Sequence, residues 1–588
     1  MNFRKFTAAV LSCVMVLSLA ACRRGPSETK APATAPTEAV TQAVTKAPAT
    51  AAAPETTKAP ETTAAPEPEK QSVQPVHVIL ETVDQGIVDS SDPYVYRKKA
   101  EDQYVRIMLT PEDAEKYPEL QAGLMDYNRM LDEGHEETLS DLADVYAEVF
   151  SSVGEEYMAD MYATNETTGT VVRADSNVVS VFLDNYQYWL GAHPDTMCGG
   201  ASFDTESGKK LMFKDVVTDP EKFYDIVDEK LQEEYEDIYE QMVDFDDYRH
   251  DLDYEDYAFV SWTVDNEGVT VYFNPYELGS YAMGAQFIKV FFDEAPGAFN
   301  EKYTETLPSY VIPIKSDTPV KIDVNGDGKR EDVTLTYESP EGEEWYYIWK
   351  ISDGRRSVKI NDWGYSEHSY IICRDGHYYA YIFETSDNDY TMLRVIDLET
   401  MDYDPDYIPN ASLIRYDSQY EERPDGYWSS DSLIAFTDAD CFRMSTRIDV
   451  LGTKSGWKTY HAGENGCPES DENSFILDTG VILKALQPLE CSLVDEAGNV
   501  TGDAVIAEGT YLFFVRSDGE NYADLQEIDK KLVTEEGDEY YSYMYSEEIP
   551  DPDFDKEVYR VVVTHGGWPN LINGVPEDDV FAGINYAG

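Results

Sequence analysis

The chain has 588 residues, and at about 150 residues per domain that length calls for three or four compact units rather than one core. Acids outnumber bases 115 to 45, giving a formal charge of −70 and a pI near 4.2; this excludes docking on nucleic acid or anionic lipid and favours cationic partners. Aromatic residues make up 13% of the chain, 44 of them Tyr, so large side chains for packed cores are abundant.

Residues 1–22 read as a secretory signal: Arg4 and Lys5, an apolar run through Val10, Leu11, Val14, Val16 and Leu17, then Leu19-Ala20-Ala21-Cys22. Small residues just before a Cys resemble the lipobox of bacterial lipoproteins, which implies lipidation of Cys22 and a mature chain that begins there. No later stretch offers the roughly 18 to 20 consecutive apolar residues of a membrane span, so the lipid is the expected anchor and the outer face of the cytoplasmic membrane the expected location. Residues 23–75 are dominated by Ala, Pro, Thr and Glu, a composition that buries no core and reads as a disordered spacer. Apart from Cys13 and Cys22 the cysteines are Cys198, Cys373, Cys441, Cys467 and Cys491. None follows CxxC spacing, so no zinc site is expected, and any disulfide pairing is left open.

The first domain is expected over residues 76–308. Val76–Leu109 reads as strands, and Leu139, Leu142, Val145, Tyr146 and Val149 fall on one helical face. Val171–Leu183 returns to strand composition. A second helix is predicted from Pro220, after Asp219, with Phe223, Ile226, Val227, Leu231 and Tyr235 as its apolar stripe. Strands follow at Phe259–Val264 and Val269–Phe273, joined by a turn containing Asn266 and Gly268. The class is α+β.

Three runs then carry a family likeness: Tyr188-Trp189-Leu190-Gly191-Ala192-His193-Pro194, Phe203-Asp204-Thr205-Glu206-Ser207-Gly208-Lys209-Lys210-Leu211 and Asp215-Val216-Val217. Further matches are Trp262-Thr263-Val264, Tyr272-Phe273-Asn274-Pro275-Tyr276-Glu277-Leu278 and Tyr281-Ala282-Met283-Gly284. Together they resemble the extracellular RsiV-type domain, and Tyr117-Pro118 with Asn128 is similar to the small domain before it, for a total reach of about residues 95–305. That family includes anti-sigma factors whose outer domain binds lysozyme, and the non-catalytic half of PdaC-type peptidoglycan deacetylases. The resemblance implies a surface domain that binds a wall-directed protein or glycan. The chain shows neither a sigma-binding segment before its signal nor the metal-binding Asp and paired His of the deacetylases, so neither activity is carried over.

His193, before Pro194 in a Gly-bounded turn, reads as a structural hydrogen-bonding residue rather than a catalytic base. From Glu233 to Asp256 twelve acids face one Arg, interleaved with tyrosines. Glu233, Tyr235, Glu236, Tyr239, Asp247, Tyr248 and Tyr254 are the candidate landing surface for a cationic protein; a solvated helix face is the plainer reading of the same run.

A β-rich domain is expected over 309–480. Its first landmark is Asp323-Val324-Asn325-Gly326-Asp327-Gly328-Lys329-Arg330-Glu331-Asp332. Alternating oxygen donors with Gly at the sharp turn suit Ca²⁺, with side chains from Asp323, Asn325 and Asp327, the Lys329 carbonyl, and Glu331 or Asp332 closing the site. The loop resembles the strand-flanked calcium loops of integrin-like propeller repeats. Hairpins around Asp353-Gly354 and Asp375-Gly376 follow, ending in Val395-Ile396-Asp397-Leu398; propeller blades, a meander or a sandwich all fit. Short strands over 481–588 suggest a small SH3-like module.

No HExxH, GxSxG or P-loop motif occurs. The expectation is a lipid-anchored, non-enzymatic surface protein that binds a cationic wall hydrolase such as lysozyme, or wall glycan. The alternatives are an enzyme of wall polysaccharide turnover with its carboxylate pair invisible to spacing, and a calcium-dependent adhesive module.

Overall fold

In a computed structural model, the described residues are 72–588 apart from 90–96, 155–157, 159–160, 236–246, 255–259, 339–346, 363–364, 386–390, 403–407, 410, 414, 417–431, 478–479, 538–541, 547–548, 566–568 and 587–588. Cys22 and residues 23–71 of the expected spacer therefore lie outside them. No helix among the described residues is long and apolar enough to cross a membrane.

The first half is built on a long antiparallel hairpin, β1 (Val78–Asp89) and β2 (Arg97–Leu109), followed by the helices α1 (Pro111–Lys116) and α2 (Pro118–Val153). Thr110 caps α1 by accepting from the Asp113 amide, and Pro111 and Pro118 open the two helices where a missing N–H costs nothing. Strands β3 (Ala163–Ala174), β4 (Val178–Tyr188) and β5 (Asp195–Asp204) extend the sheet, with β3 parallel to β2. The composition at 171–183 is thus two strands, folded over at Asp175-Ser176-Asn177. Helix α2 lies on the sheet, burying Leu120 and Leu124 with Val105, Ile107, Val179 and Phe203. Its N-terminal turns approach so closely that a Cβ at Gly123 would sit 1.9 Å from the Gly208 carbonyl oxygen.

A second core follows. Helix α3 (Pro220–Glu234) starts at Asp219 as expected, and Phe223, Val227 and Leu231 are fully buried. With α4 (Asp247–Tyr254) it covers a three-stranded sheet of β6 (Val260–Val264), β7 (Gly268–Phe273) and β8 (Gln286–Phe291). The two sheets meet at Gly200 of β5, where a Cβ would lie 2.0 Å from the Trp262 carbonyl oxygen.

The region of the Asp323–Asp332 loop forms neither a ring of blades nor a closed barrel among the described residues. Strands β9 (Ser309–Pro313), β10 (Val320–Ile322), β11 (Glu331–Glu338), β12 (Tyr347–Ser352), β13 (Ser357–Asp362), β14 (Tyr365–Arg374), β15 (His377–Thr385) and β16 (Thr391–Asp397) make two antiparallel sheets: β10–β13 in order, and β16-β15-β14-β9 with 408–409 at its edge. Ile322, Val333, Leu335 and Ile351 of the first face Ile371, Ala380, Ile382 and Ile396 of the second across one core, which is a sandwich. Alternate residues of the second sheet, Ile372, Tyr381, Phe383 and Leu393, turn to a different core shared with Phe436, Phe442 and Met444. Both hairpin turns are as expected, with Asp375 and Gly376 at positive φ of 50° and 82°.

The expected boundary near residue 480 is not a break. Strand 475–477 pairs with strand 511–517, so a twelve-stranded sheet runs from 412–413 to 581–582 in place of a separate SH3-like module. Leu512 and Phe514 face one core and Tyr511, Phe513 and Val515 the other, so this sheet is covered on both sides. Near residue 308 the separation is also incomplete, because strand 432–434 adds to the edge of β1. Cys198, Cys373, Cys441 and Cys491 are free thiols.

Candidate recognition surface

Three of the quoted family-like runs, Tyr188–Pro194, Tyr272–Leu278 and Tyr281–Gly284, meet at one end of the first half. The β4–β5 connection carries Trp189–Pro194, and Leu190 holds a left-handed φ of 58°. Directly after β7 comes Asn274, which is buried and pairs both ways with the Cys198 backbone of β5: the amide of Cys198 donates to Oδ1 at 2.6 Å and Nδ2 donates to the Cys198 carbonyl at 3.1 Å. This side chain stands in for a neighbouring strand and fixes the loop after β7 beside the loop before β5.

Tyr276 then takes a φ of 80° and stands 61% exposed, while Leu278 anchors the loop in the core. A left-handed non-Gly residue costs of order 1 kcal/mol or more and persists where the surroundings over-determine it; Leu190 and Tyr276 are two of these at one place. Tyr281 donates to the Pro194 carbonyl at 2.6 Å, packs on the His193 ring at 4.5 Å and on Tyr276 at 5.7 Å. Burial, Asp195, Tyr276 and Tyr186 all raise the Tyr281 hydroxyl pKa, so it stays a neutral donor. His193 hydrogen-bonds the same Pro194 carbonyl through Nδ1 at 2.8 Å. Tyr186, 40% exposed, shares a face of β4 with Phe182, which leads through Tyr272 at 4.8 Å to exposed Phe287. The result is a tyrosine-rich, partly exposed surface with Asp195 at its edge, a combination suited to protein contact.

The acidic run is divided. Glu233 is exposed on the last turn of α3, and Tyr235 half-buried, donating to Gln286. Glu236 and Tyr239 lie outside the described residues; Asp247 and Tyr254 are the end residues of α4, with side chains outside the described set. Tyr248 is a correction. It is 5% exposed, donates to Asp228 at 2.7 Å, and its ring lies edge-on to Tyr224 and Phe273, so it is a core residue and no part of a landing surface. Burial and the Asp228 carboxylate push its hydroxyl well above the ordinary range.

In the Asp323–Asp332 loop, Gly326 and Gly328 hold φ of 71° and 82°. Asp323 accepts from the amides of Asp327 and Gly328 at 3.0 and 2.8 Å, and Asp327 from Lys329 at 2.9 Å. Glu331, 6% exposed, turns into the loop, where it accepts from the Val324 amide and from Asn325 and lies 3.2 Å from Arg355. Asp332, the neighbouring strand residue, points the other way and pairs with Lys321 at 3.5 Å, so of the two closing candidates only Glu331 faces the loop.

Sequence reasoning missed Asn274, whose partner is 76 residues away, and the contacts of exposed Tyr276 and half-buried Tyr281. The visible signal was that they lie in the family-like runs.

Residues 212–293, from the short helix before α3 to just past β8, match a family model described as "Protein of unknown function (DUF3298)". A solved member of that family from Bacteroides fragilis NCTC 9343 is similar at 15% identity, covering 39% of this chain and 95% of that one with a TM-score of 0.29. A DUF3298 family protein from Pseudomonas aeruginosa PAO1 is similar at 14% identity, covering 39% and 97%, with a TM-score of 0.25. No curated protein matches the chain.

Proposed function

We propose that this chain is a bacterial surface protein, tethered by lipid on Cys22, whose α+β half binds a cationic wall-directed protein, with lysozyme as the leading candidate. The observation that carries the reading is the junction of the Trp189–Pro194 and Pro275–Met283 loops, where Tyr276, Tyr281 and Tyr186 stand together over strained backbone in a chain of net charge −70. Charge steers a basic partner to the molecule, and tyrosines supply contact once it arrives. Titrating lysozyme into the full-length chain at physiological salt, beside an equally basic non-hydrolase, tests it. One-to-one binding of lysozyme alone is expected. The substitution Tyr281→Ala should weaken it by about 2 kcal/mol, roughly 30-fold, the size of an interface hot spot. Added salt should slow association more than it speeds dissociation. Equal, weak binding of both basic proteins would reduce the charge to a solubility device.

The Asp323–Glu331 loop is proposed to take Ca²⁺, with Asp323, Asn325, Asp327 and Glu331 turning their oxygens from loop amides to the ion and the Lys329 carbonyl joining them. Calcium is expected to raise the unfolding temperature of the full-length chain, and Asp323→Ala to abolish that rise. A calcium response unchanged in Asp323→Ala would move the site elsewhere.

A further inference from the structure

Away from the tyrosine surface, a second cluster forms where the residue before β1 meets the segment after strand 432–434. The His77 backbone amide and its ring Nδ1 both bond to Oδ2 of Asp113, at 2.7 and 2.8 Å. Asp113 is 6% exposed on α1, which is itself tied back by the Thr110 amide donating to the His77 carbonyl. Without a metal, the carboxylates of Asp113 and Asp438 raise the His77 pKa to about 11, so Nε2 carries a proton that an entering metal displaces. That Nε2 is shielded from solvent and has no hydrogen-bond partner. Facing it at 3.7 Å is Oδ2 of Asp438, a residue 6% exposed whose other oxygen accepts from the Asp440 amide. The third member is Cys441, an exposed free thiol. One donor atom from each of His77, Asp438 and Cys441 lies within 4.8 Å of the other two.

We propose that His77 Nε2, Asp438 Oδ2 and Cys441 Sγ form a three-ligand site for a divalent transition metal of the zinc class. Tetrahedral ligands at about 2.0–2.3 Å from zinc stand about 3.3–3.8 Å apart, so the three donors need side-chain shifts of roughly 1 Å or less to close on an ion. The donor set selects the metal: a thiolate and an imidazole do not suit Ca²⁺ or Mg²⁺, whereas nitrogen, sulfur and carboxylate oxygen together suit Zn²⁺ or Co²⁺. Two anionic ligands neutralise the divalent charge. Asp113 completes the arrangement as a positioning residue, since a metal-bound His characteristically donates its other nitrogen to a carboxylate. Because Cys441 is exposed, the fourth position faces solvent and is open to water or a small anionic ligand, the pattern of an open rather than a closed structural site. Cysteine spacing could not reveal it: the site takes a single Cys, and its His lies far earlier in the chain.

The test uses the full-length chain, stripped with a chelator and titrated with Co²⁺, followed by competition with Zn²⁺. One equivalent of Co²⁺ is expected to bind with a near-ultraviolet sulfur-to-cobalt charge-transfer band, and Zn²⁺ to displace it. In Cys441→Ala, a change at an exposed position whose fold can be checked by circular dichroism, the band should vanish. In Asp113→Asn it should persist with affinity lowered about 10–100-fold, the usual effect of losing such a partner. Absence of the band in the unaltered chain, or a band of equal strength in Cys441→Ala, overturns the proposal. An unchanged affinity in Asp113→Asn overturns the positioning role.

Discussion

Replacing Arg173 by Ala should cost the first half about 3–5 kcal/mol, the price of stranding a buried charge. Arg173 is 1% exposed on β3, and its Nε donates to Asp175 at 2.7 Å with both side chains fully buried. The remaining guanidinium nitrogens donate to the carbonyls of Asp265, Tyr303 and Glu305, at 3.1, 2.6 and 2.7 Å. One side chain thus joins the large sheet, the β6–β7 turn and the segment leaving the domain. Its loss leaves the Asp175 carboxylate without its cation, takes a donor from the Asp265 and Tyr303 carbonyls, and leaves the Glu305 carbonyl to Asn177 Nδ2. Arg173→Lys should recover part of the loss, since an ammonium reaches fewer of these acceptors than a planar fork does. Urea unfolding read through Trp262, which lies in the adjoining core, measures the effect. A change below about 1 kcal/mol would mean that the pair behaves like a surface ion pair.

A comparable loss is expected in the last sheet from Asp524→Ala. Asp524 is fully buried between two guanidiniums on flanking strands, Arg516 donating to it at 2.8 Å and Arg560 at 2.7 and 2.8 Å. The three residues are direct register partners across strands 511–517, 522–527 and 558–562, so the charges alternate across the sheet. The same arginines donate to the carbonyls of Asp495 and Gly498 and so hold the 495–498 turn. Removing the carboxylate sets two cations against each other in a half-buried site, and about 3–5 kcal/mol is again the expected cost. Amide hydrogen exchange should accelerate in these three strands and in the 495–498 turn while the first half is unchanged. Exchange that speeds up only in the turn would show that the strands do not depend on the carboxylate.

The local grammar of the fold was legible. Asp219-Pro220 marked the start of α3, its stripe of Phe223, Val227 and Leu231 is the buried face, and Asp375-Gly376 specified its hairpin. These are contacts within a few residues, where periodicity and turn chemistry act directly. Legibility ended where a residue's partner comes from another element. Tyr248 reads as a surface tyrosine in an acidic run, yet Tyr224 and Phe273 close over it. The choice between blades and a sandwich depends on which sheet faces Ile371 and Ile382, and alternation alone states only that some sheet does. The meeting of His77, Asp438 and Cys441 has no trace in spacing at all.

The edge of β1 carries one more consequence. Ile79, Leu80 and Glu81 pair with Ile434, Leu433 and Ser432, and the Ala435 amide donates to the Val78 carbonyl at 2.8 Å. A fragment cut at the apparent boundary near residue 308 would present this row of backbone groups bare, along a strand rich in Val, Ile and Leu. Such an edge is a template for another copy of itself. Residues 432–435 thus act as a built-in chaperone for the start of the fold: they occupy a self-adhesive seam, and only the uncut chain keeps it sealed.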